Sequence, residues 1–275
     1  MNGIKRRTTG AAKREIRGKE NAQVSIPLEL PLVHVTAVGA AREIIDVGQL
    51  ETRRCKVFKK DLLYFFLLRP AYRVSEADAK SDQINRFPFV FIVNPQNLVT
   101  PYHVYPFDTG GAFAGIFGDR PDPYVKLEDY ELSPSLASAA KLVGWAFGSV
   151  DAYFKAEVQQ GLKQKLEIWE SAARSYLTIT ELATSGGSNR PDKRASAIEV
   201  AYDQHVQLKG NAVLAILPKQ LLESGTAKHE HLIAKLSATG VAWEMYDWQP
   251  NSAPDEYFEE ISRIALDYFQ AKGFL

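Results

Sequence analysis

Leu63-Tyr64-Phe65-Phe66-Leu67-Leu68-Arg69-Pro70-Ala71-Tyr72-Arg73 is the stretch from which the fold is read. Its first six residues are aromatic or aliphatic with no helical stripe, and Arg69-Pro70 closes the run because proline cannot donate to a ladder. A strand over Asp61–Leu68 is therefore predicted. Upstream, Leu32-Val33-His34-Val35-Thr36 is a β-branched run that predicts an earlier strand. Downstream, Phe87–Val93 predicts a third, bounded by Asn94-Pro95. Between the first two, Ala41, Ile44, Ile45 and Leu50 fall near helical spacing and Gly48 supplies a stop, so Ala37–Val47 is predicted helical.

Farther along, Tyr102–Gly118 mixes aromatics with glycines, keeps neither period, and is predicted as an ordered loop. Ser133-Pro134 has the form of a helix start, with Ser133 at the N-cap and proline first in the helix. The residues to Val150 then predict a mostly buried helix, and Asp151–Tyr176 a second with a more polar face. A polar, glycine-rich segment, Thr184–Pro191, breaks the pattern. An extended run over Ala195–Tyr202 follows, in which Ala197, Glu199 and Ala201 share one face. Val213–Leu217 predicts a buried strand ending at Pro218, and Pro254–Ala271 a closing helix. No internal repeat is present, so the simplest account is a basic arm, 1–25, and a single α+β domain, 26–275, with a helical insertion at about 133–176.

The 275 residues are 45% hydrophobic, 11% aromatic and 24% charged, values that argue against general disorder. A single cysteine, Cys55, excludes an internal disulfide and a cysteine-based metal or iron–sulfur site, and fits a reducing, cytoplasmic compartment. Apolar runs such as Leu62–Leu68 are far shorter than a membrane span, and no apolar segment follows the basic N-terminus. Lys+Arg 33 and Asp+Glu 33 balance overall, but not locally. Residues 1–20 hold seven basic and two acidic side chains, a net charge of +5, whereas 220–275 carries −5. The arm reads either as a solvated tail or as a phosphate-contacting segment that raises affinity for a polyanion without reading sequence.

The motif inventory narrows the chemistry. No P-loop, no dinucleotide-binding glycine fingerprint and no nucleophile elbow occurs. His229-Glu230-His231 reads as a charged turn rather than a metal site, since i and i+2 fall on different helix faces. What remains is a spaced set of polar residues on apolar strands. His34 and Thr36 alternate with Val33 and Val35 and so share a face. Tyr64 and Arg69 bracket the second strand. Arg194, Ser196 and Glu199 sit in the late extended run, where a carboxylate among small apolar neighbours is costly unless paired or used. Asp108, in Asp-Thr-Gly, reads as a turn former or a second site carboxylate.

His34-Val35-Thr36, an aromatic strand followed by Arg69, and a late strand carrying Glu199 after a glycine-rich loop together resemble the ADP-ribosyltransferase fold, a split β-sheet core. The Leu63–Arg73 segment resembles the DarT-like branch, and also uncharacterised bacterial proteins with Tyr-Phe-Phe-x-x-Arg-Pro-Ala-Tyr-Arg and Pro-Phe-Asp-x-Gly, matched here by Pro106–Gly110. The resemblance spans roughly residues 32 to 218. It implies NAD as co-substrate, with no metal. It implies that His34 and Thr36 bind an NAD ribose, that Tyr64 or a neighbouring aromatic lines the nicotinamide pocket, and that Arg69 with Arg73 pairs with the pyrophosphate. Glu199 would bind the nicotinamide ribose and stabilise the developing oxocarbenium ion, and the Ser185–Asn189 loop would present the acceptor. Ala197, two residues before Glu199, speaks against arginine as acceptor. The implied setting is a bacterial toxin or phage-defence effector acting on nucleic acid or protein, with an antitoxin or defence-system partner. The competing readings are an NAD glycohydrolase on the same fold and a non-catalytic nucleic-acid-binding or partner-binding module.

Overall fold

The computed structural model describes residues 3–21, 25–71, 79–184, 192–223 and 227–275. In chain order its strands are β1 (Leu32–Ala37), β2 (Gln49–Leu50), β3 (Arg53–Arg54), β4 (Asp61–Leu67), β5 (Pro88–Val93), β6 (His103–Tyr105), β7 (Glu199–Tyr202), β8 (Val206–Gln207), β9 (Ala212–Pro218) and β10 (Ala242–Tyr246). The helices are α1 (Val38–Val47), α2 (Thr109–Ala114), α3 (Leu136–Ala146), α4 (Val150–Lys155), α5 (Ser171–Thr180), α6 (Gln220–Glu223), α7 (Ala227–Thr239) and α8 (Phe258–Ala271). The α+β expectation holds. By its internal contacts the chain divides into two units, one made of Met1–Leu30, Arg54–Lys60 and Thr100–Tyr202, the other of Pro31–Arg53, Asp61–Val99 and Asp203–Leu275.

The second unit is built on a sheet in the order β10-β9-β5-β1-β4. Every residue of β5 is buried, as a continuous apolar run flanked on both sides requires. It pairs antiparallel with β1 from Leu32↔Val93 to Ala37↔Pro88, and antiparallel with β9. On β1, Val33 and Val35 are buried while His34 and Thr36 are partly exposed, the alternation the sequence predicts. The strands β9 and β10 are parallel, which requires a crossover; α6 and α7 supply it. Helix α1 ends where expected: Gly48 adopts φ 81°, a conformation glycine takes without Cβ strain, and its N–H donates to Ile44 O at 2.8 Å.

Two sequence-based expectations change. The His229-Glu230-His231 run belongs to helix α7 rather than a turn, and His231 Nε2 lies 3.2 Å from Asp46 Oδ1. The extended run predicted from Ala195 begins as a strand only at Glu199, and that strand belongs to the first unit, after a 3-10 turn over Lys193–Ala195.

The first unit packs α3, α4 and α5 with the antiparallel pair β6–β7 and the short helix α2. Tyr102–Gly118, expected to be a loop, contains both β6 and α2. A three-residue strand and a six-residue helix are too short to display a period. The insertion is less regular than two long helices. Helix α3 starts at Leu136 with Ser135 as N-cap, its Oγ accepting from Ser138 N at 3.1 Å. The stretch predicted as one helix over 151–176 is broken into α4, a 3-10 turn at Lys163–Lys165, and α5.

The described part of the basic arm is partly exposed, but it is not a free tail: several of its basic side chains pair with the acidic stretch that follows α2. Arg6 Nε pairs with Glu128 at 2.8 Å, Arg7 with Asp129 at 2.5 Å, and Arg14 with Glu131 at 2.8 Å. Arg17 pairs with Glu131 at 3.3 Å and Lys19 with Glu170 at 2.5 Å. Backbone bonds add to this, from Ile4 N to Ala112 O and from Leu127 N to Lys5 O. Arg6, Arg7, Arg14, Arg17 and Lys19 are thus committed to carboxylates of the same unit, so their charge is not evidence for a phosphate-contacting arm. Among the described residues no helix is long and apolar enough to cross a membrane, and no group of three or more His, Cys, Asp or Glu is arranged to hold a metal ion.

Candidate active site

Strands β6 and β7 pair with Tyr105 opposite Glu199 and His103 opposite Ala201. Directly opposed residues of an antiparallel pair project to the same face, so Tyr105, His103 and Glu199 are neighbours while Val104 and Val200 point the other way. All three are buried, Glu199 to 2% exposure. Pro106-Phe107 then turns the chain, and Asp108 stands at the N-cap of α2. That turn brings Thr109 against the carboxylate. Thr109 Oγ1 donates to Glu199 Oε1 at 2.7 Å and Thr109 N to Oε2 at 3.0 Å. His103 Nε2 lies 3.3 Å from Oε1, and its ring packs on Phe58 with centroids 4.4 Å apart. Both carboxylate oxygens are therefore held, and the group has one orientation.

Asp108, buried at 7% exposure, sits in the field of this carboxylate. Burial, and next the charge of Glu199, push its carboxyl up to about 6. The Arg194 guanidinium and the Gly111 amide pull the other way and do not win. Arg194 Nη1 is 3.8 Å from Asp108, because the guanidinium is committed to Asp192 through Nε at 2.9 Å and Nη2 at 2.7 Å. Close to the carboxyl the backbone leaves no room. A Cβ on Gly111 would lie 2.9 Å from Asp108 Oδ2, and one on Gly110 3.2 Å from Oδ1. Gly111 is thus the tight position, set by Ile116 as well as by the buried acid, and Gly110 is the looser one. Burial also raises the Tyr105 phenol, with Glu131, Glu128 and Glu199 adding to the effect, so it stays protonated.

The other sequence-predicted residues lie in the second unit. His34 Nδ1 is 2.9 Å from Tyr64 O, and since a carbonyl only accepts, Nδ1 carries the proton. Burial lowers the imidazole pKa, the Tyr64 bond opposes this and Arg53 adds to it. His34 is thus neutral near pH 7, with Nε2 a hydrogen-bond acceptor. Its ring meets Phe65 edge-on at 5.8 Å. Tyr64, one residue earlier, alternates to the other side of the pleat, and its contribution to His34 is a backbone carbonyl. Thr36 shares the His34 face. Arg69 is buried at 3% exposure, after Leu68 at φ 55°, a strained backbone for a leucine. Arg73 and the 185–189 loop lie outside the described residues.

Sequence reading missed His103 and Thr109, the residues that touch Glu199. Tyr102-His103-Val104-Tyr105 does alternate, but over too few residues to separate from a loop. Asp108 was visible in its Asp-Thr-Gly context.

No protein-family model matches this chain, and no curated protein matches it. Among solved structures it is similar to "Thermus sp. 2.9 DarT in complex with NAD+", at 9% identity, covering 81% of this chain and 98% of that chain, with a TM-score of 0.39.

Proposed function

We propose that the chain is an NAD-dependent ADP-ribosyltransferase with Glu199 as its catalytic carboxylate. The observation that carries the reading is the Glu199 carboxylate itself, buried on β7 with both oxygens fixed by Thr109. Burying an ionisable group costs several kcal/mol unless it is bonded or used, and a fixed negative charge is what a positive charge developing at a ribose C1′ needs. In this reading Glu199 also orients the ribose hydroxyls, His34 and Thr36 bind ribose, Tyr64 or its neighbour Phe65 lines the nicotinamide pocket, and Arg69 with Arg73 takes the pyrophosphate. The sequence pattern supports these roles, and the acceptor nitrogen of neutral His34 suits a ribose hydroxyl donor.

The proposed setting is a toxin or defence effector with a nucleic-acid or protein acceptor and a neutralising partner, as the sequence resemblance implies. The arm lends it no support, because Arg6, Arg7, Arg14, Arg17 and Lys19 are all engaged by carboxylates of their own unit. The test is nicotinamide release from NAD by wild type and Glu199→Gln, with label followed on DNA, RNA, protein and free ADP-ribose. A drop on the order of 100-fold or more in the variant is expected. An inert wild type, or a variant at the wild-type rate, overturns the reading; label on free ADP-ribose alone makes the enzyme a glycohydrolase.

A further inference from the structure

The reading above uses one carboxylate of a buried pair and leaves the second without a role. We propose that Asp108 is the general base of the Glu199 site, taking the proton of the nucleophile that replaces nicotinamide. This rests on the proposed transferase or glycohydrolase activity and assigns a step within it.

The argument is geometric first. Asp108 and Thr109 are consecutive, and Thr109 grips both oxygens of Glu199, so the Asp108 carboxyl cannot leave the neighbourhood of the catalytic carboxylate. The fold preserves it there at a cost. A Cβ on Gly111 would lie 2.9 Å from Asp108 Oδ2, and the Gly111 amide, which favours the charged carboxylate, does not offset its burial. Its cationic neighbour is held back at 3.8 Å by a bidentate bond to Asp192. The Asp108–Arg194 pairing is therefore long, and burial together with the Glu199 charge outweighs it.

Among the described residues, the charged groups that act on it are Glu199 on β7, Arg194 on the Lys193–Ala195 turn and Asp192 just before it, while α2 contributes none. Their balance, with burial, raises its pKa to about 6, which suits a group that must be ionised near neutrality and still hold a proton transiently.

The step balances as follows. The bond from C1′ to the nicotinamide nitrogen breaks, and its electron pair stays on that nitrogen, which becomes neutral. A lone pair of the nucleophile, water or an acceptor group, forms the new bond to C1′. The nucleophile's proton passes to an Asp108 oxygen and thence to solvent. Glu199 takes no part in this proton transfer. Two carboxylates with separate roles, one electrostatic and one proton-accepting, recur in glycosyl transfer to water.

The experiment compares pH–rate profiles for NAD turnover by wild type, Asp108→Asn, Arg194→Gln and Glu199→Gln, and records melting temperature against pH for each. Expected are a wild-type acid limb near pH 6, its loss in Asp108→Asn with a fall of about 100-fold above pH 7, and its displacement to higher pH in Arg194→Gln. Melting data should show Asp108→Asn gaining on wild type between pH 4 and 7, a readout that needs no turnover. Asp108→Asn with the wild-type rate and profile, while Glu199→Gln is dead, overturns the base and leaves the proposed function standing. An inert wild type or an active Glu199→Gln overturns both. If Asp108→Asn does not fold, an unmoved acid limb in Arg194→Gln overturns the proposal.

Discussion

Thr109 holds Glu199 with two groups at once, its backbone N–H on Oε2 at 3.0 Å and its hydroxyl on Oε1 at 2.7 Å. Removing the hydroxyl alone, in Thr109→Val, leaves the amide bond in place and frees Oε1 on one side. The expected outcome is a loss of about 1–2 kcal/mol in stability and a fall in kcat of about tenfold or more with KM for NAD little changed. Chemical denaturation and steady-state kinetics check the two halves; an unchanged kcat would detach Thr109 from the chemistry.

Gly111 is where the site meets the helix. A Cβ there would stand 2.3 Å from Ile116 Cδ1 as well as 2.9 Å from Asp108 Oδ2. Gly111→Ala should cost about 1–3 kcal/mol, the usual range for overpacking, and lower activity with it, because the Asp108 carboxyl must move. Melting temperature and turnover should fall together.

Stability should depend on pH through Asp108 and Asp129 in opposite senses. The folded pKa of Asp108, about 6, lies above the ordinary 3.8, so folding is most favoured when the group is protonated, and roughly 3 kcal/mol is lost as pH rises from about 4 to about 6. Asp129 is the reverse. Burial opposes its charge, but the Arg7 guanidinium and the Lys126 and Lys13 amides outweigh this and hold its carboxyl below the usual range. Its contribution is present above pH 4 and is lost as pH falls further. Denaturation midpoints across pH 3–8 should show a maximum near pH 4–5, and Asp108→Asn should flatten only the neutral side.

Arg7→Met removes the partner of a buried carboxylate. Asp129 then keeps two amide donors, from Lys13 and Lys126, but no cation. The expected cost is about 1–3 kcal/mol, recovered in part by adding Asp129→Asn. The more exposed pairs, Arg6–Glu128 and Arg14–Glu131, should each cost less than about 1 kcal/mol when broken. Urea titrations of the four variants distinguish these magnitudes.

His34 should titrate below the ordinary histidine value, since burial, against the Tyr64 bond, disfavours its cation. The unfolded chain then binds more protons, so this residue's contribution is complete above about pH 6.5 and declines below it. Nitrogen NMR should find Nδ1 protonated and the ring neutral at pH 6.5; a cationic ring there would contradict the assignment.

Strands β1, β4, β5 and β9 were legible because each is a local run of apolar or alternating side chains whose burial is written in its own residues. The Gly48 stop is local too. The first unit was read less well. Its strand β6 is three residues long, its α2 contains two glycines that no propensity argument would place in a helix, and its insertion breaks at turns the polar face of 151–176 conceals. Glu199 stood out as a carboxylate among apolar neighbours, and Asp108 as an acid in a turn motif.

By itself, then, the sequence determined the α+β class, the main strands and the carboxylate that needs a reason. Only the tertiary structure decided what surrounds it. His103 and Thr109 lie 96 and 90 residues from Glu199 in the chain, and they meet it only through the register of β6 on β7 and the turn into α2. It likewise decided the fate of the basic arm, whose charge excess is real in the sequence and whose Arg6, Arg7 and Arg14 pair with acids more than 110 residues away. Local patterns report how much of a residue is buried; which distant partner shares its burial is fixed by register and packing.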